Sequence, residues 1–179
     1  MAIETEKKYR MNPEQREQVL KNLEEIGAEF LHKDFEVNQI YGGGILEDEK
    51  AALRIRKTER KTLLTYKRRV GNLSNLKQHI EHETEVADAE VMENIIKSLG
   101  FELGLVYEKH RQTWKFQNVE IVLDELPFGL YMEIEGKITD IGLAEMMLDI
   151  EDYELEPETY PKLTFDLGVK TGNLIEARF

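Results

Sequence analysis

Ile3–Arg10, IETEKKYR, opens the chain with a strand pattern whose polar side is charged throughout. Alternate residues of a strand face the same way, so Glu4, Glu6, Lys8 and Arg10 share one face and Ile3, Thr5, Lys7 and Tyr9 the other. The two-residue spacing of charge returns down the chain. Arg54 and Arg56 carry it in LRIR, Lys67 and Arg69 in YKRR, and Glu81, Glu83 and Glu85 in IEHETEV. Lys109 and Arg111 repeat it in EKHRQTW, as do Glu133, Glu135 and Lys137 in YMEIEGK. Leu53 and Ile55, like Met132 and Ile134, point the opposite way, and Asp124 is out of phase with Val119, Ile121 and Leu123.

Any one such pair is ordinarily a solvent face of a half-exposed sheet. Here basic pairs and acidic pairs occupy different strands, strand after strand. A sheet closed with these faces inward has a charged interior, and its apolar faces pack outward against helices. Ions in a restricted interior need partners, so water, anions and metal ions are expected to fill it.

The rest of the chain supplies the elements. Asn12-Pro13 starts a helix in which Val19, Leu20, Leu23 and Ile26 recur at helical spacing, with Gly27 as the stop. Residues 28–41 read as extended and end at Gly42-Gly43-Gly44, which lacks the spacing of either Gly-rich phosphate motif. Residues 53–57 and 62–70 form a hairpin, and 77–86 another strand. Asp88 caps a helix with the stripe Val91, Ile95, Ile96 and Leu99, ended by Gly100. Strands follow at 105–116, 119–126 and 130–138, then helices near 141–150, where Met146-Met147 is read as ordinary packing, and 160–168. The expected fold is α+β and mainly β: one domain over 1–179, an antiparallel barrel of about eight strands, closed, with helices outside.

Composition narrows the function. A chain of 179 residues without cysteine has no disulfide and no thiolate chemistry, which fits a reducing compartment. There is no secretory pattern and no apolar run of about 18 residues, so cytoplasm and no membrane partner are expected. The net charge of −12 argues against general nucleic-acid binding. Yet residues 51–70 hold eight Lys or Arg and one acid, while residues 119–158 hold thirteen acids and one base. RNA binding by the basic stretch is disfavoured, since Tyr66 is its one aromatic.

Clustered Arg and Lys match phosphate oxygens. Clustered Glu and Asp with little His match hard cations such as Mg²⁺ or Mn²⁺. One object meets both demands, a polyphosphate chelated to a divalent metal. The histidines add little: His79 and His82 fall on opposite faces of their strand, and His110 points away from Lys109 and Arg111, as do Trp114 and Phe116.

The segment Glu4-Thr5-Glu6-Lys7-Lys8 resembles the ExExK signature of the CYTH superfamily, the triphosphate tunnel metalloenzymes. The resemblance continues in order through Leu53-Arg54-Ile55-Arg56, Leu64-Thr65-Tyr66-Lys67, Glu83-Thr84-Glu85, Lys109-His110-Arg111, Asp124 and Glu133-Ile134-Glu135. It implies an eight-stranded tunnel in which Lys8, Arg54, Arg56, Lys67 and Arg111, with Lys109, grip a triphosphate. It also implies metal held by Glu4, Glu6, Asp124, Glu133 and Glu135, with Glu83 and Glu85 beside them as ligands or partners of the bases. Glu4, Glu6, Lys8, Glu133 and Glu135 form the implied catalytic set. Lys162, in Thr159-Tyr160-Pro161-Lys162-Leu163, is implied as a further phosphate contact, although Thr159 and Pro161 depart from the family's closing Ser-Tyr segment.

The implied activity is Mg²⁺- or Mn²⁺-dependent hydrolysis of a small-molecule triphosphate: inorganic tripolyphosphate, a nucleoside triphosphate or thiamine triphosphate. Two alternatives stand beside it, a class IV adenylyl cyclase forming cyclic AMP and pyrophosphate, and a non-catalytic polyphosphate or nucleotide sensor. Hydrolysis is preferred because the His-Phe pair that often precedes ExExK in bacterial cyclases is replaced by Met1-Ala2-Ile3. The oligomeric state is left open, a homodimer among the options.

Overall fold

The computed structural model describes residues 3–73 and 76–179, and their side chains except at 3–4, 69–73 and 76–79. The elements run β1 (Ile3–Met11), α1 (Pro13–Glu25), β2 (Glu29–Gly42), α2 (Ile45–Asp48), β3 (Ala51–Lys57), β4 (Thr62–Leu73) and β5 (Leu76–Glu85). Then come α3 (Ala89–Ser98), β6 (Glu102–Phe116), β7 (Val119–Leu126), β8 (Gly129–Glu135), α4 (Ile138–Leu148), α5 (Tyr160–Leu167), β9 (Val169–Thr171) and β10 (Leu174–Ala177).

Local chemistry sets the helix starts. Asn12 accepts from the Gln15 amide at 2.8 Å while the Gln15 side chain accepts from the Asn12 amide at 2.9 Å, a reciprocal cap ahead of Pro13. Asp88 caps Val91 at 3.0 Å, and Thr159 caps Lys162 at 3.3 Å. Gly27, at φ +70°, ends α1 in a conformation that costs other residues dearly.

Among the described residues the strands form one sheet, ordered β2-β3-β4-β5-β1-β8-β7-β6-β10-β9. β2 meets β3 on one side, Asn38 opposite Arg56, and β6 on the other, Asn38 opposite Tyr107. Neighbours are antiparallel except β10, which runs parallel to β6. The short strands β9 and β10 and the one-turn α2 were not expected from sequence; each is too brief to carry a periodic signal.

The apolar faces turn outward, as the strand phase requires. Tyr9, Trp114, Phe116, Ile121, Leu123, Met132 and Ile134 pack against Val19 and Leu23 of α1 and Ile141, Ala144 and Leu148 of α4. Tyr41 and Ile55 pack against Ile96 of α3. The α3 stripe is narrower than its spacing predicts. Ile96 is buried, but Val91, Ile95 and Leu99 are 53%, 46% and 68% exposed, because α3 meets the sheet along a single ridge. Met146 and Met147 likewise lie exposed rather than packed, since α4 turns Ile141, Ala144 and Leu148 inward. No described helix is long and apolar enough to cross a membrane.

Candidate functional site

The opposite face of the sheet carries the charges, and they find one another. Glu36 on β2 lies 3.4 Å from Lys109 Nζ and 3.8 Å from Arg56 Nε. Lys109 also reaches Asp124 Oδ2 at 3.3 Å. Arg111 grips Asp124 through Nε and Nη2 at 2.7 and 2.6 Å, and Nη2 also donates to Glu133 at 2.8 Å. Lys8 stands 3.2 Å from Glu133. Across the sheet, Arg54 and Arg56 lie 3.7 and 3.8 Å from Glu83, and Arg54 lies 3.7 Å from Glu81. Lys67 is 2.9 Å from Glu81 and 3.6 Å from Glu6. Several of these pairs bridge strands that are not neighbours, so the sheet curls around its charged face. Glu36, Lys109 and Asp124 are almost wholly buried there.

The network has a tight part and a loose part. Asp124 also accepts the Tyr160 hydroxyl at 2.8 Å, so Arg111, Lys109 and Tyr160 take up both its oxygens. The resemblance made Asp124 a metal ligand; here it is an anchor for two cations and for α5. The Tyr160 ring lies under Lys8 Nζ, 3.7 Å from the ring centre, and beside Tyr131, which puts the first turn of α5 against the charged face. Arg54 and Arg56, by contrast, meet their carboxylates at ion-pair range only, and both Nε–H groups are buried without an acceptor.

The electrostatics follow. Burial pushes the Glu36 carboxyl up, but Lys109, Arg111, Arg56 and Arg54 outweigh it and hold it well below the usual carboxylate range. Lys109 is lowered to about 8 by burial and by Arg111, against the pull of Asp124 and Glu36. Glu135, directly across from Glu6 on β1 and from Glu120 on β7, is raised to about 7 by burial and by Glu6, Glu120 and Glu81, with Lys67 opposing. Negative charge is thus poorly compensated at Glu135.

That excess has a pH signature. A carboxyl raised from 4.5 to about 7 favours the fold most below about pH 4.5 and loses that contribution as pH rises through 7. Discounted for partial solvent exposure, the loss is about 1–2 kcal/mol. We expect the metal-free protein to melt roughly 2–8 °C lower at pH 7.5 than at pH 5. Glu135→Gln should flatten that dependence; thermal melts across the window check it, and an unchanged slope in the variant assigns the effect elsewhere.

Of the residues named from sequence, Glu6, Lys8, Arg54, Arg56, Lys67, Glu83, Lys109, Arg111, Asp124 and Glu133 join this network, and Glu135 borders it. Glu85 is exposed at the end of β5. Lys162 is also apart from the network: it pairs with Asp166 on the outer side of α5. The side chains of Glu4, Arg69 and His79 lie outside the described residues. Sequence reading left out Glu36 and Asn38, and named Thr65, Glu81 and Tyr160 only within their motifs, with no role. Glu36 and Asn38 share a strand phase, a signal the apolar Ile40 two residues on conceals. Thr65 accepts from Arg54 at 3.3 Å and donates to Glu83 at 2.8 Å.

The donor chemistry suits a hard divalent cation: carboxylate oxygens, with anionic charge in excess at Glu135. Among the described residues, no three Asp, Glu or His groups already converge as a metal site.

Comparison with known proteins gives the family and the fold. The CYTH domain family model matches residues 2–165. A candidate adenylate cyclase of Methanocaldococcus jannaschii is 31% identical over 152 residues, 82% of this chain and 84% of that protein. The PH1012 protein of Pyrococcus horikoshii superposes with a TM-score of 0.78 at 26% identity, covering 89% of this chain and 98% of its own. A Hippeastrum protein, described as a candidate adenylyl cyclase with a dominant triphosphatase activity, has the same fold at 18% identity and a TM-score of 0.71, covering 93% and 96%. The chain belongs to the CYTH domain family.

Proposed function

We propose that this protein is a divalent-metal-dependent triphosphatase, and that β1–β8 close into a barrel whose interior is the substrate site. Pairing of β2 with both β3 and β6 supports closure, because β2 and β6 are the first and last strands of the β1–β8 run in that order. The observation that carries the substrate class is the Arg54–Arg56 pair. Two planar forks lie on the same charged face of the sheet, each with a buried Nε–H lacking an acceptor and each held only loosely by carboxylate. A phosphate chain supplies the missing acceptor oxygens in the geometry a guanidinium prefers.

Phosphoryl transfer asks a protein for alignment and charge neutralisation. Arg54, Arg56, Lys67 and Lys8 bind the phosphate oxygens, and Arg111 completes the grip on its Glu133 side. Glu6 and Glu135, with Glu4, would hold Mg²⁺ or Mn²⁺, which would offset phosphate charge and lower the pKa of water. Their carboxylates also orient the attacking water by accepting its hydrogen bonds. The new P–O bond forms at the terminal phosphorus as the bridging P–O bond breaks, releasing orthophosphate and a diphosphate.

The cyclase reading has one specific support, the name carried by the relative that is 31% identical. In that reaction the ribose 3′-hydroxyl attacks the α-phosphorus and pyrophosphate leaves. A product assay with tripolyphosphate, ATP and thiamine triphosphate, each with Mg²⁺ or Mn²⁺, decides. Orthophosphate is expected; cyclic AMP establishes the second reading, and binding without product removes both.

Arg54→Ala should raise the dissociation constants of all three compounds by a similar factor, about 10- to 100-fold, because Arg54 binds their shared handle. Titration calorimetry checks it. A loss confined to one compound would assign Arg54 to the head group.

A further inference from the structure

Asn38 is fully buried on β2, on the charged face. Its Nδ2 donates to Glu36 Oε2 at 3.3 Å, which fixes the amide, since the flipped form would set a carbonyl against a carboxylate. The other end of the amide, Oδ1, is buried without a hydrogen-bond partner. In register, Asn38 faces Arg56 on one side and Tyr107 on the other. Ile40, the next residue in phase, lies with Tyr107 in an apolar cluster under Tyr160 and Leu163 of α5. Asn38 therefore marks the boundary between the basic part of the site and its apolar end.

Three atoms of this face are left unsatisfied, on Asn38, on Arg56 opposite it in register, and on Arg54 opposite Ile40. The Nε–H groups of Arg54 and Arg56 lack acceptors, and Asn38 Oδ1 lacks a donor. A fully ionised phosphate chain satisfies the first two and repels the third, because its oxygens only accept. A buried carbonyl oxygen left unmet is costly, and sites built to hydrogen-bond a hydroxyl discriminate strongly against ligands that lack it.

We infer that Asn38 is a specificity-determining residue that accepts a hydrogen bond from an O–H carried by the substrate beside its phosphate chain. The inference rests on the triphosphate reading of the site. Two sources carry that chemistry: a sugar hydroxyl of a nucleoside triphosphate, and the O–H of a protonated end phosphate.

Calorimetric dissociation constants separate them. The ligands are ATP, 2′-deoxy-ATP, 3′-deoxy-ATP, and tripolyphosphate at pH 6 and pH 9, on wild type and Asn38→Ala, with metal omitted to prevent turnover. If a sugar hydroxyl is read, wild type prefers ATP over one deoxy form by about 3- to 10-fold and the variant loses that preference. If a protonated phosphate is read, the variant binds tripolyphosphate about 3- to 10-fold more weakly at pH 6 and equally at pH 9. The variant-to-wild-type ratio cancels other groups that titrate in this range. An equal loss for every ligand at both pH values, or no loss, overturns the inference. Wild type binding none of the four removes the triphosphate reading itself. Thermal melts establish that the variant is folded; if it is not, Asn38→Ser, too short to reach the same atom, takes its place in the same comparison.

Discussion

Asp124→Ala is expected to cost about 3–5 kcal/mol of stability in a buffer without metal. The thermal midpoint should fall by roughly 6–20 °C. Asp124 is fully buried and is the shared partner of three groups: Arg111 at 2.6 and 2.7 Å, Lys109 at 3.3 Å and the Tyr160 hydroxyl at 2.8 Å. Removing it leaves two buried cations facing each other, and Arg111 already depresses Lys109. The penalty comes from under-compensated charge, with Lys109 left to Glu36 and Arg111 to Glu133, since a buried ion pair adds little net stability while intact. Tyr160 loses its acceptor as well, so the first turn of α5 should loosen with the core. A residue that served only as a metal ligand would give the opposite result, an apo midpoint unchanged by the substitution. Asp124→Asn keeps one acceptor and the shape, and should fall between.

The second large effect is on turnover. Glu135→Gln should lower metal-dependent hydrolysis by about 10²- to 10⁴-fold while the fold persists. Glu135 and Glu6 face each other across β1 and β8, and the carboxylates around Glu135 outweigh Lys67 there. Neutralising one removes an anionic oxygen from cation binding and weakens the orientation of water. The same change relieves repulsion in the empty site, so above pH 7 the variant should be more stable than wild type and less active, a common trade at functional sites. Steady-state rates at saturating Mg²⁺ and Mn²⁺, with melts of the same samples, test both halves. Full activity in the variant would remove Glu135 from the metal assignment.

The strand phase made much of the network readable. Two residues along a strand return to the same face, so the Arg54–Arg56, Lys109–Arg111 and Glu133–Glu135 pairs announce one surface each. The same rule put His110 outside, where it packs between Phe35 and Phe179. It fails off the strands. Tyr160 and Lys162 are also two apart, but on a helix that spacing is about 200°, so with Tyr160 against the charged face Lys162 must turn away. Glu85 shares the phase of Glu83 yet closes its strand, where position along the axis matters more than side. Asp124 was legible as an inward acid, but whether its partners are metal or Arg111, Lys109 and Tyr160 depends on which strands and helix meet there.

Sequence by itself determined the alternation: which side chains of the paired-charge strands share the charged face and which the apolar one, where α1 and α3 are capped, and that phosphate and hard cations are the natural complements. Those are local properties, fixed by backbone period and side-chain chemistry within a few residues. Only the tertiary structure decided the partners. It set Arg111 tightly on Asp124, left Arg54 and Arg56 with spare donors, and brought Asn38 to the edge of the apolar cluster with an unmet acceptor. The physical reason is that electrostatic energy depends on distance and burial between groups far apart in the chain, and neither quantity exists until the sheet curls.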